Sequence, residues 1–154
     1  MKKTVNITLS CLFVLMAVSF TSCKYDEGPF LSFRTAEERL VGYWKLANVQ
    51  KNGVDMDSTE LIANNPGCYY AFFSERMISV SALDGTLWRE SEYGSWDFQN
   101  RNKELYVNFL LKNKRYAYTA VIKRLTRDEL IYEYYDAYNN LWRFEFESRS
   151  SMYY

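Results

Sequence analysis

Histidine is missing from all 154 residues, and the chain has only three cysteines and two prolines. The first absence removes the commonest general base and the commonest zinc ligand. Charge of one sign is missing too: 19 basic and 19 acidic side chains give a formal charge of zero. No global basic field is therefore available for nucleic acid. There is no Gly-x-Ser-x-Gly elbow, no phosphate-binding glycine loop and no calcium-loop spacing. A pair of carboxylates could cleave a glycoside without histidine. The candidates Glu133, Glu145 and Glu147 alternate with apolar residues and so are expected on a solvated outer surface. No catalytic residue, metal site or cofactor is expected. What the chain has in abundance is aromatic: 14 Tyr, 10 Phe and 4 Trp.

The single long apolar run, Val5 to Phe20, follows the positive start Met1-Lys2-Lys3 and breaks into Thr21-Ser22-Cys23. This order describes a secretory signal. The run is shorter than the roughly 18–20 residues a spanning helix needs, so residues 1–22 are expected to be removed. Removal takes away Lys2 and Lys3 and leaves 132 residues with 17 basic against 19 acidic side chains, a charge of −2. An exported chain whose remaining thiols are Cys23 and Cys68 needs its stability from a core, which this length can supply.

The rest of the chain carries the punctuation of strands. Thr35 with Glu38 is a capping-box pattern that predicts a short helix ended by Gly42. Strands are then predicted between turn signals at Asn52-Gly53, Pro66-Gly67, Asp84-Gly85, Asn100–Lys103, Lys112–Lys114, Thr126–Asp128 and Tyr138–Asn140. The polar stretch Asp55–Asn65 reads as a loop with one helical turn. About eight or nine strands at roughly 10–12-residue spacing predict an all-β sandwich or barrel. Trp142, Phe144 and Phe146 alternate with Arg143, Glu145 and Glu147, and Leu105, Val107, Phe109 and Leu111 alternate with Tyr106 and Asn108. One face of the sheet is apolar, as an antiparallel sheet closed on itself requires.

Phe20-Thr21-Ser22-Cys23 resembles a bacterial lipobox, with Phe where Leu is commonest. The resemblance implies a diacylglycerol thioether and an amide-linked acyl chain on Cys23, and two or more chains give a stable membrane anchor. Lys24, Asp26 and Glu27 after it resemble the surface-export tether of Bacteroidetes lipoproteins, which points to the outer leaflet of the outer membrane over the periplasmic face. Gly42-Tyr43-Trp44 matches the Gly-x-Trp signature of lipocalins, and it follows a short helix as in that family. Together with Asn52-Gly53 and the corner Leu125-Thr126-Arg127-Asp128-Glu129-Leu130, residues 35–148 resemble the lipocalin-like lipoproteins of Bacteroidetes. The resemblance implies an antiparallel up-and-down β-barrel of 8–9 strands with a short N-terminal helix. It also implies that the Trp44 indole plugs one end, with Arg143 or Arg149 of the last strand packed on it. The second lipocalin motif, around Thr-Asp-Tyr, is absent. Asp57-Ser58-Thr59 resembles the three-residue O-glycosylation signal of the same bacteria, with Ser58 as acceptor. Helix capping is its rival role.

The chain thus divides into a signal peptide (1–22), a lipidated tether (23–33), a barrel (34–149) and a tail (150–154). The expected function is non-covalent binding of a small apolar or amphipathic ligand inside the barrel. Cavity candidates are Tyr70, Phe72, Trp96, Phe98, Phe109, Tyr118, Tyr132, Tyr134 and Phe144, with the loop Asp55–Pro66 as a lid. The rival is a barrel filled by its own aromatics, serving as an interaction subunit of an outer-membrane protein complex.

Overall fold

Thr35 opens a short helix as its spacing to Glu38 predicts. The Glu38 amide donates to Thr35 Oγ1 at 3.2 Å, and the Thr35 amide donates to the Glu38 carboxylate at 2.7 Å. The helix, α1, spans Ala36–Leu40. Five residues cannot hold a helix in water unaided. Burial of Ala36 and Leu40 holds it, together with a 2.8 Å bond from Trp44 Nε1 to the Leu40 carbonyl. Val41 leaves the helix in an extended conformation, and Gly42, at φ 151°, swings the chain into the first strand. The computed structural model describes residues 25–28, 33–56, 69–81, 83–84, 87–88, 92–111 and 113–150. The signal peptide, Cys23, Ser58, Cys68, most of the Asp55–Pro66 loop and the last four residues lie outside this set.

The strands are β1 (Gly42–Lys51), β2 (Val54–Asp55), β3 (Tyr69–Phe72), β4 (Met77–Ser81), β5 (Leu83–Asp84) and β6 (Leu87–Trp88). They continue with β7 (Glu92–Gln99), β8 (Glu104–Leu111), β9 (Lys114–Leu125), β10 (Glu129–Tyr135) and β11 (Leu141–Arg149). Eight of them, β1, β3, β4, β7, β8, β9, β10 and β11, pair in that order, each antiparallel to the next. The last returns to the first, with Tyr43 opposite Arg149 and Lys51 opposite Trp142, so the sheet closes into an up-and-down barrel. Strand β2 adds to the edge of β1 through the Asn52-Gly53 turn, whose φ values of 53° and 79° fit a type I′ hairpin.

Two segments differ from the pattern read in the sequence. Strands β5 and β6, on either side of the Asp84-Gly85 turn signal, pair with each other and with no other described strand. The described residues Leu87 and Trp88 therefore add no stave to the wall, and Val80 of β4 pairs directly with Glu92 of β7. The second difference lies in the charged stretch after Cys23. Tyr25 is only 2% exposed. The Glu27 amide donates to the Lys123 carbonyl at 2.8 Å, and Arg124 Nε donates to the Glu27 carbonyl at 2.8 Å. Asp26 pairs with Lys123 at 2.7 Å, and the Glu27 carboxylate takes both Arg143 Nη atoms at 2.9 and 2.7 Å. Residues 25–28 are thus fastened to the outer wall of β9–β11.

Arg143 is the centre of that fastening, since it also binds Glu133 at 2.9 Å and Glu145 at 2.8 Å. Its bonds hold the Glu27 carboxyl below the usual carboxylate range. A carboxylate depressed in the folded state stabilises fully above its unfolded value of about 4.3, and that stability fades as pH falls through the lower folded value. Arg143→Ala leaves three carboxylates facing one another. It is expected to cost about 1–2 kcal/mol, a figure reduced for the partial exposure of the pairs. Hydrogen exchange at the Glu27 amide should be slow in the parent at pH 7 and fast in the variant. Equal protection in both would show that Arg143 does not hold the segment.

Candidate functional site

All nine residues expected in the cavity face the barrel interior, either buried or packed against the buried core. Strand alternation puts them there, and among the described residues many of them meet ring against ring. Phe72 and Trp96 meet edge-to-face at 5.9 Å near α1, with Phe98 at 5.5 Å from Trp96. Trp96 Nε1 donates to the Phe73 carbonyl, and the Arg76 guanidinium sits 4.4 Å from the indole centroid. Tyr70, 0% exposed, spans the lumen: its ring is 6.0 Å from Phe109 of β8 and 4.9 Å from Phe146 of β11, edge-on to both. Such pairs add to the burial of their area. The half of the barrel nearer α1 is therefore packed ring against ring.

Toward the far end the rings change character. Tyr118 stacks on Tyr134 with centroids 4.1 Å apart, and Tyr134 stacks on Phe144 at 5.7 Å. Tyr116 stacks on Phe109 at 5.3 Å, and Trp142 tilts against Phe144 at 6.4 Å. Tyr116, Tyr118, Tyr134 and Trp142 are half-buried, and Lys51 and Lys114 lie over Trp142 and Tyr116 at 5.3 and 5.1 Å. Beneath them the Tyr118 and Tyr132 hydroxyls bond at 2.9 Å. Burial pushes the hydroxyls of Tyr118, Tyr132 and Tyr134 well above the usual tyrosine range, so they stay neutral at any physiological pH. This end offers flat ring surface with neutral polar tips and a cationic edge.

One side chain fixes that rim. Asp136 Oδ2 accepts from Trp142 Nε1 at 2.9 Å, and its Oδ1 accepts the Tyr138 and Asn140 amides, both at 2.9 Å. The bond from the indole, then those from Asn140 and Tyr138, holds its carboxyl well below the usual range. Asn52 ties the β1–β2 turn to the same rim through the Leu141 amide at 2.9 Å and the Asn140 side chain at 3.1 Å. Tyr116 and Trp142 were readable as inward residues in the strand alternation. Asp136 was not singled out, although an Asp two and four residues ahead of backbone donors is the signature of an Asx turn.

The remaining sequence candidates separate. Trp44 is buried at the α1 end, where its indole donates to the Leu40 carbonyl. Arg143 does not pack there, since it faces outward at Glu27, Glu133 and Glu145; Arg149 sits in the hollow beside Trp44. Glu133 and Glu145 lie on the outer wall as that ion-pair set, and Glu147 is exposed. Among the described residues no three His, Cys, Asp or Glu side chains cluster to hold a metal. Compared with known proteins, the chain matches no family model and no curated protein, so its function rests on this geometry.

Proposed function

We propose that this protein is a non-enzymatic, lipid-anchored binding protein of the outer membrane. It is held by acyl chains on Cys23 and takes an amphipathic ligand on the aromatic far end of its barrel. The observation that carries the reading is the half-buried set Tyr116, Tyr118, Tyr134 and Trp142, with the indole clamped by Asp136. Rings fixed in advance lose little entropy on binding, and their polar tips suit a ligand with both apolar and hydroxylated parts. The packed rings at Tyr70 favour the rim over the deep lumen as the seat of that ligand. The same packing favours the second reading, a filled barrel that serves as an interaction subunit, in which the outer surface carries the function.

Native mass spectrometry on the protein extracted gently from its own membrane tests both the anchor and the ligand. The anchor reading expects a mass that begins at Cys23 and includes a diacylglycerol and an acyl chain. The ligand reading expects a further reproducible small mass, which Tyr134→Ala and Trp142→Ala should each reduce at least tenfold in occupancy. A small mass that survives both substitutions would overturn the rim site. A clean protomer, or one that carries another protein, would turn the assignment to the interaction subunit.

A further inference from the structure

A second place in the molecule has unbalanced charge. A hollow of about 190 Å³ lies at the α1 end, lined by Arg34, Glu38, Arg39, Arg127 and Arg149 beside Trp44. The fold gathers these from distant stretches. α1 supplies Glu38 and Arg39, the β9–β10 turn supplies Arg127, and pairing of Tyr43 with Arg149 brings the end of β11 alongside the start of β1. A side chain at Gly42 would meet nothing within 4 Å, so the floor is open.

The partners of these arginines are the informative part. Arg39 is 6% exposed, yet its Nε and Nη1 bond only to the Thr35 and Leu125 carbonyls, at 3.3 and 2.9 Å, and its face lies 5.4 Å from the Tyr25 ring. A buried charge without a counter-ion is unfavourable. Arg127 and Arg149 form no ion pair among the described residues. The one carboxylate in the lining, Glu38, is committed to the Thr35 amide and hydroxyl at 2.7 and 3.0 Å. Elsewhere on this barrel the guanidiniums of Arg76, Arg124 and Arg143 all meet carboxylates. Arg39, Arg127 and Arg149, with no ion pair among the described residues, leave a cationic recess of polar character.

We propose that this recess binds a phosphate group, with Arg127 and Arg149 as the forks that grip it and Arg39 as the fixed charge behind them. Guanidiniums are planar, always charged and matched to two oxygens of a phosphate at once. The group could belong to free phosphate or to a phospholipid headgroup. Tyr25, which rests on Arg39, is two residues from Cys23, a span of at most about 7 Å. A bilayer held at Cys23 would thus be within reach, although the site itself does not depend on lipidation.

The test is calorimetric titration of the full chain in dodecyl maltoside with three probes: inorganic phosphate, dihexanoyl phosphatidic acid and uncharged dihexanoyl glycerol. Saturable binding is expected for at least one of the first two and none for the third. Both Arg127 and Arg149 are exposed, so Arg127→Ala/Arg149→Ala should keep the parent's circular dichroism and melting while it weakens binding at least tenfold. Arg127→Lys/Arg149→Lys should recover part of the loss. A response to inorganic phosphate as strong as to phosphatidic acid identifies a soluble phosphate ligand; a response to phosphatidic acid alone identifies a headgroup. Silence with both phosphate probes, or affinity unchanged in the alanine variant, overturns the site.

Discussion

Tyr70→Ala is expected to destabilise the barrel by about 3–5 kcal/mol, the range for truncating a fully buried large aromatic ring. Tyr70 has no exposed surface, and its ring is the piece that joins β3 to β8 and β11 across the lumen. Its removal deletes the transfer energy of the ring and leaves a void whose walls, Phe72, Phe109 and Phe146, are held by their own strands. For a domain of this size the melting temperature should fall by on the order of 10–20 °C. Tyr70→Phe keeps the ring and should cost no more than about 1.5 kcal/mol. The comparison also bears on function. An apolar void of this kind stays dry and accepts a small aromatic molecule, so phenol added to the alanine variant should restore part of the stability. A loss under about 1 kcal/mol would mean that the ring occupies loose space. The barrel would then have an open interior, and the deep-cavity reading would return.

The wall of this barrel was legible because each stave alternates. Leu105, Val107, Phe109 and Leu111 are buried while Tyr106 and Asn108 between them are not, and the same holds for Phe144 and Phe146 against Glu145 and Glu147. Turn positions were legible because their backbone needs particular residues: Asn52, Asn100, Asn102, Asn113 and Asn139 all sit at positive φ. Long-range partnership was not. Glu27 and Arg143 are 116 positions apart, and nothing local distinguishes a charged tether from a charged clamp. Nor does alternation reveal how deep an inward ring reaches. Tyr70 and Tyr134 both read as cavity residues, yet one is fully buried across the lumen and the other is half-buried at the rim. The arginines illustrate the same limit. Arg143 and Arg149 stand on one strand with even spacing, so both share the outward face, and only the closing register separates an ion-pair hub from a lining of the Trp44 hollow.

Gly94→Ala should cost about 3 kcal/mol, although it adds a single methyl group at a position with ordinary negative φ. The reason is proximity rather than backbone freedom. Gly94 lies opposite Phe109 in the β7–β8 ladder and opposite Ile78 in the β4–β7 ladder. A Cβ there would collide with the Asn108 carbonyl oxygen and stand 2.6 and 2.7 Å from Phe109 Cβ and Cα. These are main-chain and first side-chain atoms, so no rotamer change can relieve the clash and the strands must part. A glycine inside a strand signals such an approach, and overpacking of this kind commonly costs 1–3 kcal/mol or somewhat more. The Gly94–Phe109 pair ends the β7–β8 register on the side away from α1, so the parting is expected to start there. It would displace Phe109 from the Tyr116 ring it stacks on at 5.3 Å, and the rim would loosen with the wall. Urea denaturation should show the stability loss. Hydrogen exchange should quicken at Asn108 and Phe109 before it quickens at Leu105 and Val107. Ser95→Ala, one residue away and exposed, serves as the control and should change stability by less than about 0.5 kcal/mol. If Gly94→Ala is as mild as that control, β7 and β8 are not in the close contact described, and the mouth does not depend on this seam.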